Sequence, residues 1–291
     1  MEKILSTSQG SVNANLIGEI DSDNIIILVP GIDGSIDYFK ELYPYLKDKY
    51  TVVSIDPLGQ GKSTESKSGH YTIDDEAWNI LEAIARLKIT NNKMVIFGYG
   101  VGGLIALNMA ELRGFTVSKL VLLNTPANEK YADMDASSTV ANIPLLGRLA
   151  KSPVKAGLFF NKNFDRNTLK DPKIVDEAAN AVDHKISREL QKMAIEYLDK
   201  KALNKRLRAL NIPTLALYAD GDQILTEAGI KDAKASIGRV PQLKIEDIKD
   251  AGHLAMIEKP QEIAQKIIEF DEEITKKKAA EEAAANENTQ E

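Results

Sequence analysis

The chain has 291 residues, 43% of them hydrophobic and 27% charged, with 37 basic against 43 acidic side chains and a net charge of -6. That much apolar material buries the core of one large α/β domain with an inserted subdomain, while a mildly acidic surface of mixed sign argues against nucleic-acid binding and the absence of cysteine excludes disulfides, thiolate nucleophiles and Cys-ligated metal. The opening MEKILSTSQGSVNANLIGEI lacks the apolar segment of a signal peptide, and no apolar run approaches the roughly 20 residues that span a bilayer, so the expectation is a soluble, cytoplasmic protein without a membrane span.

In chain order, the first twenty residues read as an antiparallel hairpin. Short Val-, Ile- and Leu-rich runs bounded by turn residues then predict strands at Ile25–Val29, Thr51–Ile55, Lys93–Phe97, Leu120–Leu123 and Thr214–Tyr218, with a weaker one at Gln242–Ile245. Thr72 and Asp75 form a capping-box-like start. The helix that follows carries Ala77, Ile80, Leu81, Ile84 and Leu87 on one face. Val101 to Leu112 reads as a second helix, stopped by Gly114. Pro260 opens a third, with Ile263, Ala264, Ile267 and Ile268 as its buried stripe. Strands alternating with helices predict a mostly parallel central β-sheet flanked by helices.

Residues 126–205 break that rhythm. Ile174, Val175, Ala178 and Val182 predict one helix there, and Ile186, Leu190, Met193 and Tyr197 another. A helical insertion between parallel strands sits above their ends, where ligands bind. The expected organisation is a core of 1–125 and 206–272, a helical cap at 126–205, and a tail at 273–291 that extends the last helix and then frays.

Four segments arrive in a fixed order: VPGIDGS at 29–35, IDPLGQGKS at 55–63, FGYGVGG at 97–103, then Asp222 in YADGDQI and His253 in DAGHLAMIEKP. Together with the insertion after the strand LVLLN, they resemble the α/β-hydrolase superfamily in its capped form, over roughly residues 10 to 272. The resemblance implies a nucleophile on a tight G-x-S-x-G turn between strand and helix. It implies an acid and a histidine later in the chain, at Asp222 and His253. It also implies oxyanion donors from the backbone of Ile32 and Val101. Gly31 and Gly34 let the earlier loop turn close to the pocket. Asp56, Gly59, Gly61 and Ser63 match a structural turn of the family.

Here the elbow reads Gly98-Tyr99-Gly100-Val101-Gly102, with Gly100 at the serine position. Glycine has no oxygen with which to form an acyl-enzyme, and losing a triad nucleophile costs on the order of a millionfold in a well-studied serine protease. Glycine also relieves backbone strain of about 1–3 kcal/mol at such a turn. Pro30 stands where many members carry histidine, and Asp33, if it pointed inward, would repel an anionic ligand. Tyr99 either lines the pocket or packs beneath the turn.

Other readings compete. Gly98, Gly100 and Gly103 also fit the dinucleotide fingerprint G-x-G-x-x-G. The acidic residue expected at the end of the next strand is absent, since that strand ends in Asn124. Gly61-Lys62-Ser63 lacks the earlier glycine of a P-loop, Asp56 taking that place. Asp220 competes with Asp222 as the acid, but is better read as a turn residue. His70 and His184 have no motif context, Trp78 reads as structural, and three histidines without cysteine make a structural zinc site an unsupported reading. No cofactor or metal is expected.

The functional expectation is therefore a hydrolase-like scaffold with an Asp222–His253 dyad and a degenerate elbow: a pseudoenzyme that binds a small-molecule ligand or regulates without hydrolysis. Two alternatives stand beside it. One is an esterase-, lyase- or oxygenase-like enzyme in which the dyad acts without a covalent step. The other is a serine ester hydrolase inactivated at Gly100, whether by nature or by engineering.

Overall fold

The computed structural model describes all residues except 21, 90–92, 113–116, 133–158, 170, 172, 175–176, 178–183 and 289–291. Eight strands form one sheet in the order β1-β2-β4-β3-β5-β6-β7-β8. They are β1 (Glu2–Ser6), β2 (Ser11–Ile17), β3 (Ile25–Val29), β4 (Thr51–Ile55), β5 (Met94–Tyr99), β6 (Val117–Leu123), β7 (Thr214–Ala219) and β8 (Leu243–Ile248). The expected N-terminal hairpin is β1–β2, and β2 runs antiparallel to β4; every pairing from β4 through β8 is parallel. β3, β4, β5 and β7 are buried along their whole length. That is why they read as unbroken apolar runs rather than alternations. The predicted strands are all present, with β5, β6 and β8 starting or ending a few residues from the expected bounds.

The helices follow their sequence signals. Thr72 accepts the Asp75 N–H at 2.9 Å and so caps α1 (Ile73–Arg86). Asp74 and Asp75 in its first turn suit the positive end of the helix dipole. Ala77, Ile80, Leu81 and Ile84 face the core, while Trp78 is half-exposed on the outer side. The second helix, α2 (Val101–Leu112), is buried from Val101 through Ala110, and a helix apolar on all sides belongs in the interior. Between β6 and β7 lie α3 (His184–Lys200) and α4 (Leu203–Leu210). The helix predicted around Val175, Ala178 and Val182 falls outside the described residues. After β7 come α5 (Thr226–Ile237) and, from Pro260 as expected, α6, which continues to Asn288. No described helix is long and apolar enough to cross a membrane.

Two buried carboxyls shape the core side of the site. Asp56 follows β4 and accepts from Ile36 N at 2.7 Å, Asn13 Nδ2 at 2.9 Å and Lys62 N at 3.1 Å. It ties the 30–35 loop to the turn containing Gly61, whose φ of 53° needs glycine. Glu76, in α1, accepts from Leu58 N at 2.9 Å. Burial pushes Glu76 up to about 8 and Asp56 up to about 6. A carboxyl raised in the folded state keeps a proton that the unfolded chain releases, so its contribution is present at low pH and is lost as pH rises. For Glu76 the loss spans 4.5 to about 8. Urea denaturation at pH steps from 5 to 8.5 should show stability falling, with Glu76 contributing a slope of about 1.2 kcal/mol per pH unit, close to one proton, near pH 7 that levels off beyond about pH 8. Glu76→Gln keeps the acceptor for Leu58 and should flatten that part of the curve. An unchanged slope near pH 7 in the variant would rule this origin out.

Candidate functional site

The parallel strands deliver the site at their carboxyl ends, the edge of an α/β sheet where ligands bind. β3 leads into Pro30–Ser35, β5 into Gly100, β7 into Asp222, and β8 into His253. Register keeps the first two together: Val29 pairs with Gly98, which in turn pairs with Leu122 of β6.

At the strand-to-helix turn, Gly100 has φ 55°. Its N–H donates to Leu123 O at 2.9 Å, and its carbonyl accepts from Gly103 N at 3.1 Å. The flanking glycines are needed for close approach. A side chain at Gly98 would collide with the backbone of Gly102, and one at Gly102 with the carbonyls of Val29 and Pro30. These contacts explain Gly98 and Gly102 by packing alone. The Val101 N–H, at the first position of α2, has no acceptor within the helix.

Asp222 and His253 meet. His253 Nδ1 donates to Asp222 Oδ2 at 2.8 Å, with both side chains almost fully buried. The other carboxylate oxygen, Oδ1, accepts from Ile224 N at 2.8 Å and Leu225 N at 3.0 Å. Those two amides lead into α5 and fix the carboxylate. Because the Nδ1–H is engaged in the hydrogen bond to Asp222, Nε2 is the acceptor nitrogen of the neutral ring. Asp220 is exposed and accepts from Asp250 N at 2.9 Å, a turn role as expected. His70 is exposed and His184 opens α3.

Tyr99 is buried and packs beneath the turn, one of the two roles expected of it. Its ring packs against Phe39 and Tyr38 beneath the 30–35 loop and also contacts the His253 ring, with centroids 5.8 Å apart. Side chains at Gly31 or Gly34 would run into it. Burial pushes its phenol well above 10.0. Phe159 covers another side of the imidazole, at 6.0 Å. Ile32 is half-buried in the same loop. Asp33 is buried at φ 59° and its carboxylate is engaged by Ser187 Oγ of α3. It therefore links the loop to the insertion.

Sequence reasoning did not find Glu258. Its Oε1 accepts from Gly252 N and from Asn161 N, both at 2.9 Å. One carboxyl thus joins the histidine loop to the segment at Asn161, and burial pushes it up to about 7. Gly252 must be glycine, because a side chain there would strike Phe160 and Asn161. The run His-x-x-x-x-Glu held the only signal for this, and it names no partner.

The chain matches the family model described as the alpha/beta hydrolase fold over residues 24–260. It is 26% identical over 255 residues to Lipase 3 of Moraxella sp. (strain TA144), covering 82% of this chain and 75% of the lipase. It is 23% identical over 254 residues to the uncharacterized hydrolase YugF of Bacillus subtilis (strain 168), covering 84% and 89%. Among solved structures, a thermophilic esterase from Thermogutta terrifontis superposes with a TM-score of 0.70 at 20% identity, covering 94% of this chain and 99% of the esterase. Sheet order, the hydrogen-bonded acid and histidine, and a family pattern running through most of the chain agree: this protein belongs to the alpha/beta hydrolase fold family.

Proposed function

We propose that this chain holds a small carbonyl-bearing ligand at the Gly100 turn without forming an acyl-enzyme. The observation that carries the reading is the elbow itself: Gly100, at φ 55°, lies beside Tyr99, whose ring touches a buried His253–Asp222 pair. The acid and histidine that acyl chemistry uses are hydrogen-bonded here, and the residue at the turn has no side-chain oxygen. The backbone N–H groups of Val101 and Ile32 are the proposed donors to the ligand carbonyl. The 126–205 insertion is the proposed cap that supplies the pocket walls. The names of the relatives, a lipase, a hydrolase and an esterase, make acyl esters the ligand class to try first.

A second reading has its own support. The 2.8 Å bond from Nδ1 to Asp222 leaves Nε2 able to take a proton from a water or a substrate carbon. Calorimetry with short- and medium-chain methyl esters, run beside turnover of matched p-nitrophenyl esters, separates the two. Saturable binding with turnover indistinguishable from buffer fits the first reading. Turnover that His253→Ala abolishes fits the second. Absence of both binding and turnover across the series would overturn the site as proposed.

A further inference from the structure

Asn124 follows the last residue of β6 and lies between the two loops that carry the acid and the histidine. It is fully buried and has φ 49°, a left-handed conformation that asparagine tolerates. Its backbone N–H donates to Leu217 O of β7 at 2.9 Å. Its side-chain Oδ1 accepts from Ala219 N at 2.8 Å. Its Nδ2 donates to His253 O at 3.0 Å and to Gly252 O at 3.3 Å. One carboxamide therefore grips the end of β7, three residues before Asp222, and the carbonyl of the histidine itself.

We propose that Asn124 is a positioning residue for the His253–Asp222 pair: it sets the separation of the two loops at which Nδ1 meets Oδ2. The inference rests on the reading that this pair is the working part of the site. The chemistry requires an amide. The position needs an acceptor toward Ala219 and donors toward two carbonyls, and of side chains this size only asparagine presents both. Aspartate has the same shape but would aim lone pairs at the carbonyls of Gly252 and His253. Leucine would leave one N–H and two carbonyls buried without partners.

The test uses the full chain with its imidazoles labelled with nitrogen-15. In the unaltered protein, His253 should show a downfield, slowly exchanging Nδ1–H signal. Asn124→Asp and Asn124→Ala should lose or shift that signal while circular dichroism stays native. A purely structural role would lower Tm and leave the signal in place, and that result overturns the proposal. Should neither variant fold, hydrogen exchange at the Ala219 amide of the unaltered protein decides: strong protection supports the bond to Asn124, and exchange at solvent rates overturns it. In a Gly100→Ser background, adding Asn124→Asp should cut the rate of fluorophosphonate labelling about 10- to 100-fold, the scale on which slight misplacement slows catalysis. The outcomes keep the two ideas apart. If His253→Ala leaves ligand binding and labelling untouched, the dyad reading fails. If His253 matters but the imidazole signal ignores position 124, only the present inference fails.

Discussion

A serine installed at position 100 is expected to be labelled by a fluorophosphonate probe and to hydrolyse simple esters, and the unaltered protein is expected to do neither. The surrounding parts are in place: the buried Nδ1–Oδ2 hydrogen bond at 2.8 Å, the fixed Asp222 carboxylate, and a turn whose neighbouring glycines allow close packing. Removal of a triad nucleophile from a serine protease lowers turnover by about a millionfold. Restoration in an unoptimised pocket should recover part of this, on the order of a thousandfold over the unaltered chain. Stability should move the other way. Gly100 sits at φ 55°, where a residue with a side chain costs about 1–3 kcal/mol. Gain of labelling together with a lower urea midpoint is the expected signature, and His253→Ala in the same background should remove the activity while sparing the fold. A folded Gly100→Ser protein that neither labels nor hydrolyses would overturn the expectation that the Asp222–His253 pair can activate a nucleophile at this turn.

The second large effect is structural. Arg206 of α4 donates to Glu111 of α2 through Nη1, at 2.9 Å and 3.2 Å, and to the carbonyls of Tyr197 and Lys201. Its guanidinium lies 3.5 Å from the centre of the Tyr197 ring, and the Tyr197 hydroxyl donates to the same Glu111. Both charged side chains are mostly withdrawn from water, at 11% and 22% exposure. This cluster fastens α3 and α4 to the helix that starts at the elbow. Breaking a buried pair from one side leaves its partner charged and unmatched, so Arg206→Ala should cost about 3–5 kcal/mol in denaturant unfolding. Arg206→Lys should recover little, because an ammonium cannot reproduce the forked contacts or the stacking. Replacing both Arg206 and Glu111 with apolar residues of similar size should cost less than Arg206→Ala alone. A loss below about 1 kcal/mol for Arg206→Ala would mean the pair behaves like an exposed one.

Much of this protein was legible before any coordinates. The strands β3, β4 and β7 begin where their apolar runs begin, α2 matches its expected bounds, and the Thr72 cap forms as written. Those features depend on neighbours a few residues away: an apolar run, a capping side chain, a glycine that lets a backbone turn. Asp222 and His253 were found by motif and order, and the structure brings their side chains together.

What sequence by itself determined, then, is the succession of elements, the glycine-bounded turn at 100, and which aspartate and histidine to expect together, because local periodicity and turn chemistry are properties of short windows. Only the tertiary structure decided what holds those residues in place. Asn124 reaches a carbonyl 129 residues away, Glu258 binds an amide 97 residues before it, and Arg206 finds Glu111 across 95 residues. A buried asparagine, glutamate or arginine carries no mark of its partner in its own neighbourhood. Its partner is set by where the sheet order and the insertion bring the chain back, and burial makes that choice binding, since a polar group sealed from water must be matched where it lies.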